Sequence, residues 1–226
     1  MYPNTNISTL SYRLRSLPGL IALMMLLVFI PMSSFASDEG KVVVTIKPLY
    51  SLTAQLMDGI EEPVLLMKQI QSPHHYNLRP SERRLLSEAR MIVWLGPNLE
   101  SYLSKIINQQ QAIIVTTIET DGLQLLERRG RHQHSHHHES HDTHSAPASD
   151  KLDPHIWLST ANAIAISRHI ADRLIADDPD NAHRYRQNLE RLVNRITEVR
   201  AQLKAVFEGI DQPYIAYQYA FQYFDQ

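Results

Sequence analysis

Apolar positions between Lys41 and Ile118 follow two periods that alternate along the chain. Lys41-Val-Val-Val-Thr-Ile46 is β-branched and bounded by Gly40 and Pro48, which predicts a buried strand. Leu49, Leu52, Leu56 and Met57 then recur at helical spacing and predict a short helix closed by Gly59. Val64 to Met67 reads as a second strand, and Pro80 to Ala89 as a helix with Leu85 and Leu86 facing inward. Met91 to Leu95 is a third strand, stopped by Gly96-Pro97. Leu99, Tyr102, Leu103 and Ile106 make another helical stripe, and Ala112 to Ile118 a fourth strand. Strands that alternate with helices imply βαβ units and a mostly parallel sheet, whose ligands collect at the carboxyl ends of the strands.

A polar stretch over 130–150 interrupts this pattern. Beyond it, Thr160 to Ala176 predicts a helix with Ile164, Ala165, Ala171, Leu174 and Ile175 on its buried side. The longest element follows. Asp178-Pro179 supplies an N-cap and a proline at the first helical position. Tyr185, Leu189, Leu192, Ile196, Val199, Leu203 and Val206 then repeat at steps of four and three, with no proline or glycine until Gly209. The helix spans about 30 residues, or roughly 45 Å. Fewer than four heptads without regular flanking charges argue against a coiled coil and for a spine joining two lobes. Pro213 to Tyr217 opens a further strand, and an aromatic run follows before Gln226, as in a second lobe that has been truncated. The expected fold is α/β: an amino-terminal lobe over 37–177 with a mostly parallel four-stranded sheet and flanking helices, a backbone helix over 178–210, and the start of a second α/β lobe over 211–226.

The first 36 residues are set apart by composition. Arg13 and Arg15 form a positive n-region, Leu20 to Ile30 an apolar h-region, and Ser34-Phe35-Ala36 a small-residue cleavage site. The apolar run is shorter than the roughly 20 residues a membrane span needs. We therefore read 1–36 as a cleaved signal peptide, with an uncleaved anchor as the alternative. The chain has no cysteine, hence no lipid attachment at the cleavage point and no disulfide. The expectation is a soluble exported monomer of the bacterial periplasm. Removing the signal moves the net charge from −2 to −4, which argues against nucleic acid or anionic lipid as a partner.

Histidine carries the candidate chemistry. Seven of the twelve histidines fall within thirteen residues: His132, His134, His136, His137, His138, His141 and His144. Neutral imidazole is the commonest protein ligand for zinc, and short His-rich tracts bind such metals without a fold. The run is internal and broken by polar residues, unlike a purification tag; the bland reading is a spacer that happens to be rich in histidine. Two further sites stand out. Pro73-His74-His75-Tyr76 follows the second strand, on the loop where an α/β sheet places ligands. Asp153-Pro154-His155-Ile156-Trp157 puts a histidine beside a proline-fixed turn and an apolar anchor, just before a helix. His169 and His183 have no partner at ligand spacing and read as solvated.

Ser72-Pro-His-His-Tyr-Asn-Leu-Arg-Pro-Ser-Glu82, Met91-Ile-Val-Trp-Leu-Gly-Pro-Asn-Leu-Glu100, the His-rich loop and His155-Ile-Trp-Leu-Ser159 occur in that order. Together they resemble the periplasmic zinc-binding proteins of bacterial ABC zinc importers, the ZnuA type, over about Lys41 to Gln226. The resemblance implies two α/β lobes bridged by a long helix, with zinc held in the cleft and passed to the importer's membrane permease. It implies His74 and His155 as the first two ligands. The family's third ligand, a histidine followed by aspartate, falls on Gln218 and Tyr219, and its fourth, acidic ligand belongs to the second lobe. A glutamine carbonyl is a poor zinc donor beside imidazole or an anionic oxygen. The leading reading is thus a zinc-capturing solute-binding protein with zinc as transported ligand and no catalysis. The alternatives are a periplasmic zinc buffer acting through the loop alone and an inactive truncated copy. A zinc hydrolase is disfavoured, since neither His-Glu-x-x-His nor Gly-x-Ser-x-Gly occurs. The loop's imidazoles favour zinc over manganese, which prefers oxygen-rich sites.

If 1–36 is a signal peptide, amino-terminal sequencing of the protein from a periplasmic extract begins at Ser37. Recovery of intact Met1 in a membrane fraction contradicts this.

Overall fold

Val42, Val43 and Val44 are all completely buried, without the in–out alternation of a half-exposed strand, because this strand has a covered layer on each side. It is β1 (Val42–Val44), the second of four strands in the order β2-β1-β3-β4, with β2 (Val64–Leu65), β3 (Met91–Trp94) and β4 (Ile113–Thr116). Every pairing is parallel; Val43 lies opposite Val64 on one side and Ile92 on the other, and Ile92 in turn opposite Ile114. The computed structural model describes residues 40–68, 76–128, 151–210, 212 and 219–224. The expected signal peptide, His74, the His-rich run, the expected Pro213 to Tyr217 strand and Gln218 lie outside the described residues.

The two-residue period of the strands divides the core in two. Val42, Val44, Met91, Val93 and Val115 point to one face, and Val43, Ile92 and Trp94 to the other. The first face is covered by α1 (Lys47–Leu56), α5 (Thr160–Asp177) and α6 (Ala182–Phe207), through Leu49, Leu56, Ile166, Ile170, Leu174, Tyr185 and Leu192. The second is covered by α2 (Pro80–Ser87), a 3₁₀ turn at Ser101–Leu103 and the short helix α4 (Ser104–Ile107), through Leu86, Leu103 and Ile107, whereas Leu99 of the short helix α3 (Pro97–Glu100) packs into the first face. The expected mostly parallel four-stranded sheet with flanking helices and a long helix is what forms.

Two helical stripes differ from their sequence reading. The segment from Leu99 is not one helix: α3 and α4 are separated by a 3₁₀ turn at Ser101–Leu103, so Ile107 is buried and Ile106 only half-buried. In α5 the buried face runs through Asn162, Ala163, Ile166, Ser167, Ile170, Ala171 and Leu174, and Ile164, Ala165 and Ile175 are half-buried. Polar residues hide in that face because their groups are satisfied locally. Ser167 Oγ donates to Ala163 O at 2.7 Å, and Asn162 exchanges bonds with the backbone of Gln124 at 2.8 and 2.9 Å. A hydrophobicity pattern cannot register such residues as core.

The long helix starts as expected. Asp178 caps a 3₁₀ turn at Pro179–Asn181, and α6 follows for 26 residues, about 39 Å at 1.5 Å each. Asn188, buried in its first half, donates to Leu56 O at 2.7 Å and Asp58 O at 2.9 Å, satisfying carbonyls left over at the end of α1. The apolar stripe then leaves the core: Tyr185 and Leu192 are buried, whereas Val199 is 42% and Val206 65% exposed.

Gly96 ends β3 with φ +133°, and a Cβ there would lie 2.7 Å from Ile118 Cγ2. Just beyond, Glu100 is fully buried, with Oε2 accepting the Leu95 N–H at 2.8 Å. Burial raises its carboxyl to about 7, against weaker lowering by bonds from Thr45, Leu95 and Gly96.

Gly96→Ala combines a left-handed backbone with a close contact and should cost about 3 kcal/mol in urea unfolding. Gly209→Ala (φ +79°, nothing within 4 Å) carries the backbone term alone, roughly 1 kcal/mol. Equal costs at both positions would exclude the packing term. For Glu100, the native pKa of about 7 exceeds the ordinary value of 4.5, so the folded state holds the proton more tightly. Its contribution is fully present below pH 4.5 and is lost as pH rises through 7, a loss of about 3 kcal/mol. Comparing Glu100→Gln with the parent across this window cancels other titrating groups; the difference should shrink or reverse in favour of the variant as pH rises.

Candidate metal centre

Asp153 and His155 are positioned by a short antiparallel bridge between Glu127 and Leu152, with Arg128 N donating to Lys151 O at 2.8 Å and Asp153 N to Leu126 O at 2.9 Å. Pro154 turns the chain, and Ile156, completely buried, anchors the 3₁₀ turn Ile156–Leu158. Ser159 then caps α5 by accepting the Asn162 N–H. The histidine is thus held between a bridge, an apolar anchor and a helix start.

The side chain of Asp153 is 3% exposed and that of His155 22%. His155 presents Nδ1 to Asp153 Oδ1 at 2.6 Å, and its backbone N–H donates to the same oxygen at 3.0 Å. The other oxygen, Oδ2, accepts from Gln222 Nε2. Burial pushes the Asp153 carboxyl up, but the bonds from His155 and Gln222 outweigh it and hold the group below the ordinary carboxylate range. An ionised carboxylate only accepts, so the neutral imidazole carries its proton on Nδ1 and its lone pair on Nε2. A carboxylate behind the histidine is how ligating imidazoles are commonly oriented and made more basic. The Trp157 ring meets His155 edge-on, with centroids 5.4 Å apart.

The described residues on either side of the segment bearing His74 are anchored in the core. That segment leaves after β2, beyond Met67, and returns at Tyr76, which is 5% exposed and donates to Glu82 Oε1 at 2.6 Å. Tyr102 packs against Tyr76 with centroids 6.0 Å apart and donates to Met67 Sδ at 3.4 Å. Tyr76, Ile156 and Tyr223 belong to one buried cluster, so the anchors of the two candidate histidines share a core. Among the described residues no group of three or more histidine and acidic side chains could by itself hold a metal ion. His155 is the one expected ligand among them; His74, Gln218 and the seven loop histidines are outside. His183 is exposed as expected, but His169 is half-buried between sheet-facing neighbours of α5, and burial followed by Arg173 lowers its pKa.

Asp153 and Gln222 went unrecognised as site residues in the sequence. For Asp153 the signal existed: a carboxylate two residues before a histidine, separated by proline, can fold back onto the ring. For Gln222 there was none, because its partner lies 69 positions away.

The family model described as zinc-uptake complex component A, periplasmic (ZnuA), matches residues 42–226. The high-affinity zinc uptake system protein ZnuA of Brucella abortus is 32% identical, across 85% of this chain and 66% of its own length. The zinc-binding lipoprotein AdcA of Streptococcus pneumoniae is 29% identical, across 85% of this chain and 38% of its own. The chain therefore spans about two thirds of the Brucella relative's length and well under half of AdcA. The crystal structure of Zn(II)-bound AdcA superposes with a TM-score of 0.64 at 22% identity, covering 82% of this chain and 36% of that one, which shows a shared fold. No helix among the described residues is long and apolar enough to cross a membrane. With the family model spanning nearly everything after the amino-terminal segment, and these relatives beside it, the chain belongs to the ZnuA family of periplasmic zinc-uptake components.

Proposed function

We propose that this chain captures zinc in the periplasm, through His74 and His155, for delivery to the membrane permease of an ABC zinc importer. The observation that carries the reading is the Asp153–His155 pair, a buried carboxylate fixing the tautomer of an imidazole on a loop before α5. Membership of a family of zinc-uptake components supports the choice of cargo and compartment. The reading includes no catalysis: the protein's task is to enclose an ion, not to leave a coordination position open for an activated water. Gln218 stands where the resemblance puts a third ligand and supplies at best a neutral amide oxygen, so exchange at this site is faster than at a closed four-ligand one.

The seven loop histidines add a second mode, several weak binding events beside the single tighter one. This keeps a zinc-buffering role as the second reading, and stoichiometry separates the two.

Competition against a chromophoric chelator tests both. Deleting 132–144 should remove several weak zinc equivalents at pH 7.5, leave folding unchanged and leave one event behind. In that loopless protein, His155→Ala or His74→Ala should each weaken the remaining event at least tenfold, and Gln218→His should tighten it. Affinity should fall steeply below about pH 6, because each ligand imidazole must be neutral. A remaining event untouched by both alanine variants refutes the ligand assignment; an unchanged zinc count on loop deletion refutes the buffering mode.

A further inference from the structure

We infer that Gln222 is a positioning residue for the metal site, acting through Asp153 on the His155 ring; this rests on the reading of His155 as a zinc ligand. Gln222 belongs to the 3₁₀ turn Tyr219–Tyr223, far along the chain from the 153–155 segment, and its side chain is buried against it. Its Nε2 donates both to Asp153 Oδ2 and to Glu127 O, the latter at 3.1 Å. Both amide hydrogens are therefore used. The flipped amide would turn a carbonyl oxygen towards a carboxylate and a second carbonyl, an arrangement of acceptors alone, so the orientation has one solution.

The consequence lies in what Asp153 can do. Oδ1 takes the ring and backbone N–H of His155, and Oδ2 takes Gln222. With both oxygens engaged from opposite sides, the carboxylate cannot rotate about its last bond, and Oδ1 stays aimed at Nδ1. Remove the amide and Oδ2 becomes a buried acceptor without this donor, which favours a turned carboxylate and releases the ring. A neutral donor also suits the task better than a cation would. It satisfies the oxygen without competing with the imidazole for the negative charge. Tyr223 holds the neighbouring backbone instead, donating to Asp153 O at 3.0 Å and accepting from Leu126 N–H at 2.9 Å. The two residues thus separate two roles, one for the carboxylate and one for the chain behind it.

The test reads the ring directly. Imidazole ¹⁵N shifts of the zinc-free full chain at pH 8, with His155 identified by difference from His155→Asn, should show the Nδ1–H tautomer in the parent. Gln222→Met keeps length and apolar bulk but loses both donors; Gln222→Asn keeps donors that are too short to span both acceptors. Either variant, folded by circular dichroism, should show a mixture of tautomers and weaken, by roughly 10- to 100-fold, the zinc event that His155→Ala weakens. Tyr223→Phe should keep the parent tautomer. An unchanged tautomer in a folded Gln222 variant overturns the inference, as does a Tyr223→Phe protein that mixes tautomers to the same extent. Loss of folding in both Gln222 variants also overturns it, since the residue is then structural. If His155→Ala has no effect on zinc, the functional reading fails, while the tautomer measurement still decides the role of Gln222.

Discussion

The central pair of strands, β1 and β3, is buried on both faces, and this constraint organises the described residues. A strand covered on both sides has no polar face to present, so Val42–Val44 and Met91–Trp94 are apolar at nearly every position. Two covering layers need connections that cross over the sheet, and crossovers give parallel neighbours. All strand ends of one polarity are then gathered at one edge. The core reaches to that edge, since Glu100, just past β3, is fully buried.

At the candidate site the pivotal group is a carboxylate. Asp153 is fixed from three directions: by Leu126 at its own N–H, by Tyr223 at its carbonyl and by Gln222 at its side chain. His155 inherits its orientation from this anchoring more than from its own packing, since its side chain retains 22% exposure. Such an order suits an ion-binding side chain, which needs a rigid base and an accessible tip.

Much of this was legible from pattern. The four strands and the long helix follow from β-branched runs and a sustained helical stripe, and the parallel topology from their alternation. The failures have a physical cause in common. Asn162 and Ser167 are buried polar residues whose hydrogen bonds replace water, and Ile107 is buried because a 3₁₀ turn shifts the phase after Ser101. Neither effect alters local hydrophobicity. At the site, His155 was readable because proline, histidine and an apolar anchor are adjacent in sequence. Gln222 was not, because its meaning depends on a partner brought near only by folding.

The helix α6 changes character along its axis. Its first half is tied to the core by Tyr185, Asn188 and Leu192, and its second half shows Val199, Val206 and Phe207 to solvent. Its hydrogen bonds are therefore unequally protected even though they belong to one regular element. Local opening from the carboxyl end exposes little that is not exposed already, whereas opening at Asn188 also frees the end of α1. Amide exchange along α6 should consequently form a gradient, with the slowest amides around Tyr185 to Leu192. Helical geometry persists past the point where the fold protects it.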